Sequence, residues 1–169
     1  TKASAVWISD CNQSNFYNTS GSNIDLIGPS TNQFDNTNFG VHTQNSGTLI
    51  LRGGQIKTFK TPAISNVCNA KLYYRVYLQS GVPGPFNNID LPLYESCSGV
   101  NYPSGGACVV GDQKWQQIIA DGTTIPYAPI NLTGYTAGNY TLEVYFEVAG
   151  SNTSTTLCNE TVLDNNGGN

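Results

Sequence analysis

His42 is the only histidine of the chain. It sits in the loop-like stretch Gly40-Val41-His42-Thr43, and no GxSxG elbow accompanies it. Nucleophilic catalysis needs a nucleophile, a base and a group that orients the base. A lone imidazole among turn residues supplies one of the three and reads as a solvated loop side chain. Glycoside hydrolysis needs two carboxylates flanking one bond. The 11 acidic residues are dispersed, and Glu143 and Glu147 fall on what reads as the polar face of a strand. The residue types therefore favour binding over catalysis, and no catalytic residue is assigned.

Metal chemistry finds little more. The five cysteines are Cys11, Cys68, Cys97, Cys108 and Cys158, with no CxxC pair among them and no second histidine to complete a zinc set. Calcium is the cofactor the residue types suit best, because it takes six to eight oxygens from carboxylates, amides and loop carbonyls. Asp35 and Asp112 are the candidate ligands, both in stretches rich in Asn, Gln and Gly. The run Asp35 to Gly40 fails the EF-hand pattern, with Thr37 and Phe39 where acids or amides belong. Asp and Asn also favour turns in their own right. Six Asn-x-Ser/Thr triplets follow largely from the abundance of those residues, and matter only if the source glycosylates them.

Disulfides explain the cysteines better than metal does. Cys97 and Cys108 bracket a Gly/Ser/Pro loop and form the expected local pair. A second bond is expected between two of Cys11, Cys68 and Cys158, and the odd count leaves one thiol over.

Aromatic side chains are the best candidates for a ligand surface. Tyr73, Arg75 and Tyr77 alternate along one strand, so they share a face. An expected ring separation of roughly 7 Å along the strand would let Tyr73 and Tyr77 touch one short oligosaccharide. Tyr102, inside the cysteine-bracketed loop, and Trp115, after Asp112-Gln113-Lys114, are further candidates. Trp115 and Trp7 also carry the large apolar area typical of a core. A neutral glycan is the expected ligand, since its apolar C–H faces suit Tyr rings and an anionic one needs clustered bases.

The elements that position these residues are strands. In Lys71 to Gln79, Leu72, Tyr74, Val76 and Leu78 fall on one face. Lys71, Tyr73, Arg75, Tyr77 and Gln79 fall on the other. Asn139 to Val148 repeats the pattern, with Leu142, Val144, Phe146 and Val148 inward and Thr141, Glu143, Tyr145 and Glu147 outward. Shorter strands are expected at 3–9, 24–27, 48–51, 55–60, 89–95, 114–119 and 155–163. Gly53-Gly54 between two of them reads as a hairpin turn. Pro92 lacks a backbone donor and places its strand at a sheet edge. The fold expected is an all-β, antiparallel two-sheet β-sandwich, jelly-roll or immunoglobulin-like. It occupies residues 1–163 as one domain, with 164–169 as a turn or linker tail.

Composition bounds the partners. Of 169 residues only 11% are charged, and the net charge is −4. Seven scattered Lys and Arg argue against nucleic acid and against an anionic membrane surface. No apolar run reaches the ~20 residues of a membrane-spanning helix. Ten Tyr, six Phe and two Trp supply the area a folded core needs and exclude disorder.

The strings WISDCNQSNFYNTSG, VCNAKLYYRVY, GDQKW, GNYTLEVYFEV and DNNGG are spread along most of the chain. They resemble an accessory β-sandwich domain of secreted flavobacterial surface proteins that use the type IX secretion route. The resemblance implies a secreted or cell-surface module, ancillary to other domains of the same polypeptide, and carries over no catalytic residue. Two roles remain open: a carbohydrate-binding module, or a structural spacer with no ligand of its own.

Overall fold

A computed structural model describes residues 3–10, 13–18, 32–34, 36–118 and 130–164. Eleven strands are present among them, and no helix. They are β1 (Ala3–Asp10), β2 (Gln13–Asn18), β3 (Asn32–Gln33), β4 (Leu49–Phe59), β5 (Asn66–Leu78) and β6 (Asn87–Leu91). Then follow β7 (Leu93–Ser96), β8 (Asp112–Ile118), β9 (Ile130–Asn131), β10 (Tyr140–Ser151) and β11 (Glu160–Asp164). One sheet runs β3-β2-β1-β4-β8-β7, with β9 also pairing β4, and the other runs β11-β10-β5-β6. Pairing is antiparallel apart from the two-residue match of β3 with β2.

The strand order decides between the two expected sandwiches. The run β1-β4-β8-β7 corresponds to strands A-B-E-D of an immunoglobulin-like domain, and β11-β10-β5-β6 to G-F-C-C′. The extra strands β2 and β3 extend the first sheet beyond β1.

The core lies between the sheets. Val6, Ile8, Leu51, Ile56 and Trp115 face Leu72, Ile89, Leu91, Phe146 and Val148, all buried. The inward set read from Lys71 to Gln79 is right, but its cover thins toward the end of β5. Leu72 is fully buried, whereas Leu78 is 38% exposed.

Gly53 and Gly54 are not a turn. β4 passes straight through both, flanked by β1 and β8 on either side. A Cβ on Gly54 would stand 3.0 Å from two Phe146 ring atoms and 3.1 Å from the Ala5 carbonyl oxygen. The glycine is there so that the two sheets can approach over the Phe146 ring. Gly53 takes φ 129° opposite the irregularity at Trp7/Ile8, a conformation that favours glycine.

The expected strand 89–95 divides at Pro92. β6 lies in one sheet and β7 in the other, so the proline marks the point where the chain crosses the sandwich. Both pieces are edge strands, as a missing backbone donor requires. β11 begins later than expected, at Glu160, and includes Asp164. The strand expected at 24–27 lies outside the described residues.

Two disulfides are formed among the described residues. Cys97–Cys108 closes the loop between β7 and β8, as expected. Cys68–Cys158 ties β5 to the loop before β11 across 90 residues. Cys11 lies outside the described residues. Bonds of this kind persist in an oxidising compartment.

Candidate functional site

Strand register assembles the outward face of the four-stranded sheet. β5 and β10 pair so that Tyr73 stands opposite Tyr145, Arg75 opposite Glu143 and Lys71 opposite Glu147. Cross-strand neighbours at this spacing must interact. The Tyr73 and Tyr145 rings stack, centroids 4.7 Å apart and 2° from parallel. Phe86, from the loop before β6, meets Tyr145 edge-on at 4.9 Å. The Arg75 guanidinium lies 4.2 Å over the Phe86 ring and 5.5 Å from that of Tyr77.

Polar groups lock this slab. Arg75 Nε donates to Glu143 Oε2 at 2.6 Å, and Tyr77 donates its hydroxyl to Glu143 Oε1 at 2.6 Å. Arg75 also donates to the Gly84 carbonyl at 3.2 Å, which holds the loop before β6 against the face. Tyr73 donates to Glu147 Oε1 at 3.2 Å. Lys71 pairs with Asp90 at 3.6 Å. The Tyr77 phenol is pushed above its ordinary value, first by its hydrogen bond to Glu143. Tyr73 and Tyr145 are pushed up by burial, then by the Glu147 carboxylate. All three phenols thus stay protonated at neutral pH, as donors rather than nucleophiles.

Both glutamates are engaged by side chains of β5, Glu143 by Arg75 and Tyr77 and Glu147 by Tyr73. Glu143 and Glu147 are four residues apart on β10, so their backbones stand about 13 Å from each other at ~3.3 Å per residue. The same arithmetic corrects the expected spacing of Tyr73 and Tyr77, which is also about 13 Å rather than 7 Å. The short-range partner of Tyr73 is Tyr145 across the strand, not Tyr77 along it.

Two of the aromatic candidates are not on the surface. Trp115 is 6% exposed and belongs to the core, its Nε1–H donating to Thr58 Oγ1 at 3.1 Å. Tyr102 is 4% exposed. The disulfide-closed loop folds back and lays its ring over Lys114 Nζ at 4.5 Å and Lys57 Nζ at 5.4 Å. Burial pushes the Tyr102 phenol up to about 12, with Asp112 and Glu95 adding to it. Beneath it, Lys114 donates to Glu95 and to Ser104, and Ser104 N–H donates to Glu95 at 2.8 Å. Register places Lys57, Lys114 and Glu95 in one row across β4, β8 and β7. The loop is therefore a cap on a buried ion pair.

Of the remaining candidates, Asp112 and His42 have structural partners. Asp35 lies outside the described residues. Asp112 is buried, and its carboxylate accepts the Val109 N–H at 2.9 Å, the geometry of a turn. No group of three or more His, Cys, Asp or Glu side chains converges on a metal position among the described residues. His42 is half-buried: Nε2 donates to the Phe39 carbonyl at 2.8 Å, and Nδ1 lies 3.0 Å from Thr48 Oγ1. It braces its loop.

Sequence reading placed Glu143, Tyr145 and Glu147 outward but assigned them no role, and it missed Phe86. The outward alternation of β10 was the available signal; only the register with β5 turns it into a site. Comparison with family models, curated proteins and solved structures gives no match.

Proposed function

We propose that this domain is a secreted or cell-surface, non-catalytic accessory module that binds a neutral carbohydrate on the outward face of β5 and β10. The observation that carries the reading is the Tyr73–Tyr145–Phe86 slab bordered by Glu143, Glu147 and Asn88. Aromatic rings offer apolar area to sugar C–H faces, and carboxylate and amide oxygens accept hydroxyl protons. Two cations, Lys71 and Arg75, face three carboxylates, Asp90, Glu143 and Glu147, so the face does not attract an anionic chain. The disulfides supply the oxidising compartment, and the resemblance to flavobacterial accessory domains supports export by the type IX route beside other domains of one polypeptide.

A second reading has its own observation. Arg75, Tyr77 and Glu143 satisfy one another, which suits a face that serves only to pack against a neighbouring domain. Calorimetry against neutral and sulfated polysaccharides separates the two. The carbohydrate reading expects neutral chains to bind at micromolar to millimolar Kd, about 4–8 kcal/mol, and sulfated chains to gain nothing. Silence across the panel leaves the packing role, and binding of sulfated chains alone overturns the chemistry.

A further inference from the structure

Where the cover over β5 thins, the sandwich end opens into a cleft of about 910 Å³. Its floor is aliphatic: Val76, Leu142 and Val144 from the four-stranded sheet, with Leu49 and Leu132 opposite. One wall is the segment 36–44, and the other is 133–140.

The walls are braced against each other at their base. Asn45 N–H donates to the Thr133 carbonyl at 2.8 Å, Gly47 N–H to Thr133 Oγ1 at 3.0 Å, and Leu132 N–H to the Leu49 carbonyl at 2.9 Å. Thr133 is fixed in turn by two hydrogen bonds to Asn131 Oδ1. On the second wall, the Tyr135 and Tyr140 rings pack 5.2 Å apart, with the Tyr140 hydroxyl 3.2 Å from Thr136 Oγ1. The cleft is thus built before any ligand arrives, within the size range of small-molecule sites.

Its chemistry selects a ligand class. The described lining includes no Lys or Arg, and its one carboxylate, Glu143, is already committed to Arg75 and Tyr77. The aliphatic floor offers an ion no partner to replace its hydration. The rim offers amides and hydroxyls, among them Asn36, Asn38, Gln44 and Thr136.

We infer that this cleft is a second binding site, adjoining the sheet face at Glu143, for an uncharged ligand with an apolar body and hydroxyl groups. The apolar body rests on the aliphatic floor, and the hydroxyls meet the amide rim. Occupancy does not depend on the carbohydrate reading of the other face.

Nile red, an uncharged apolar dye, is the probe. Titrated into the intact domain, it should give saturable, blue-shifted emission at one equivalent. Tyr135→Ala removes a partly exposed wall residue and should weaken binding about tenfold, a loss of one well-packed aromatic contact. Tyr73→Ala, on the other face, should leave the titration unchanged, with thermal melts confirming that both variants fold. Absence of saturable emission, or equal loss in the two variants, overturns the assignment.

Discussion

Replacing Glu95 by Gln keeps the shape of the side chain and removes its charge. The Glu95 side chain is 6% exposed and that of its partner Lys114 3%. The substitution therefore leaves an ammonium buried beside a neutral amide, under the Tyr102 ring. Breaking a buried pair from one side costs about 3–5 kcal/mol, a fifth or more of the roughly 5–15 kcal/mol that holds a domain folded. At ~2–4 °C per kcal/mol for a chain of this size, the melting temperature should fall by about 10 °C. Removing both charges with Glu95→Gln and Lys114→Met should recover most of the loss, because nothing charged stays buried. Urea unfolding of the four proteins at neutral pH measures the cycle. Acid titration adds a sign. Burial alone would raise the Glu95 carboxyl, but hydrogen bonds from Lys114 and Ser104 outweigh it and hold the group below its ordinary range. Its contribution is complete above the unfolded value near ~4.3 and disappears as pH falls through the lower folded value. The stability gap between wild type and Glu95→Gln should narrow over that window. A single substitution costing under about 1 kcal/mol, or strictly additive effects, would falsify the buried-pair account.

Three further outcomes follow from the packing. Removing Cys68–Cys158, which spans 90 residues, should cost up to about 4.5 kcal/mol by loop entropy, against about 3 kcal/mol for Cys97–Cys108; denaturant midpoints of the paired serine variants rank them, and a reversed order contradicts the topology. Gly54→Ala should destabilise by about 1–3 kcal/mol through contact with the Phe146 ring, with partial rescue by Phe146→Leu; a neutral effect in a thermal melt would show that the sheets are not held at that spacing. Tyr102→Phe should be neutral or stabilising, because the hydroxyl is buried with no hydrogen-bond partner among the described residues; ultraviolet titration of the wild type should show one tyrosine ionising near 12 that the variant lacks.

Some of this was legible in the chain, for physical reasons. Period-two alternation depends only on which side of a strand a residue falls, so the inward and outward sets of β5 and β10 were readable locally. The disulfide at Cys97 and Cys108 follows from short loop length. Register is set by contacts far apart in sequence, and the pairing of Tyr73 with Tyr145 and of Arg75 with Glu143 was therefore out of reach. Gly53-Gly54 misled because a glycine that permits close approach looks the same as one that permits a turn. Tyr102 and Trp115 misled because a loop can fold back over a sheet, and a strand's inward side is not marked by one large residue. The polar run Gln13 to Asn18 gave no apolar alternation, and β2 went unread.

The central claim is the outward face of β5 and β10 as a neutral-glycan surface, and amide-resolved nuclear magnetic resonance tests it most directly. A neutral oligosaccharide titrated into the labelled domain should shift the amides of Tyr73, Arg75, Tyr145 and Glu147, with Asn88 on the adjoining strand. Tyr145→Ala should abolish the shifts as fully as Tyr73→Ala, because the two rings form one slab. Saturable shifts confined to any other surface, or no shift with every neutral glycan tried, would contradict the account.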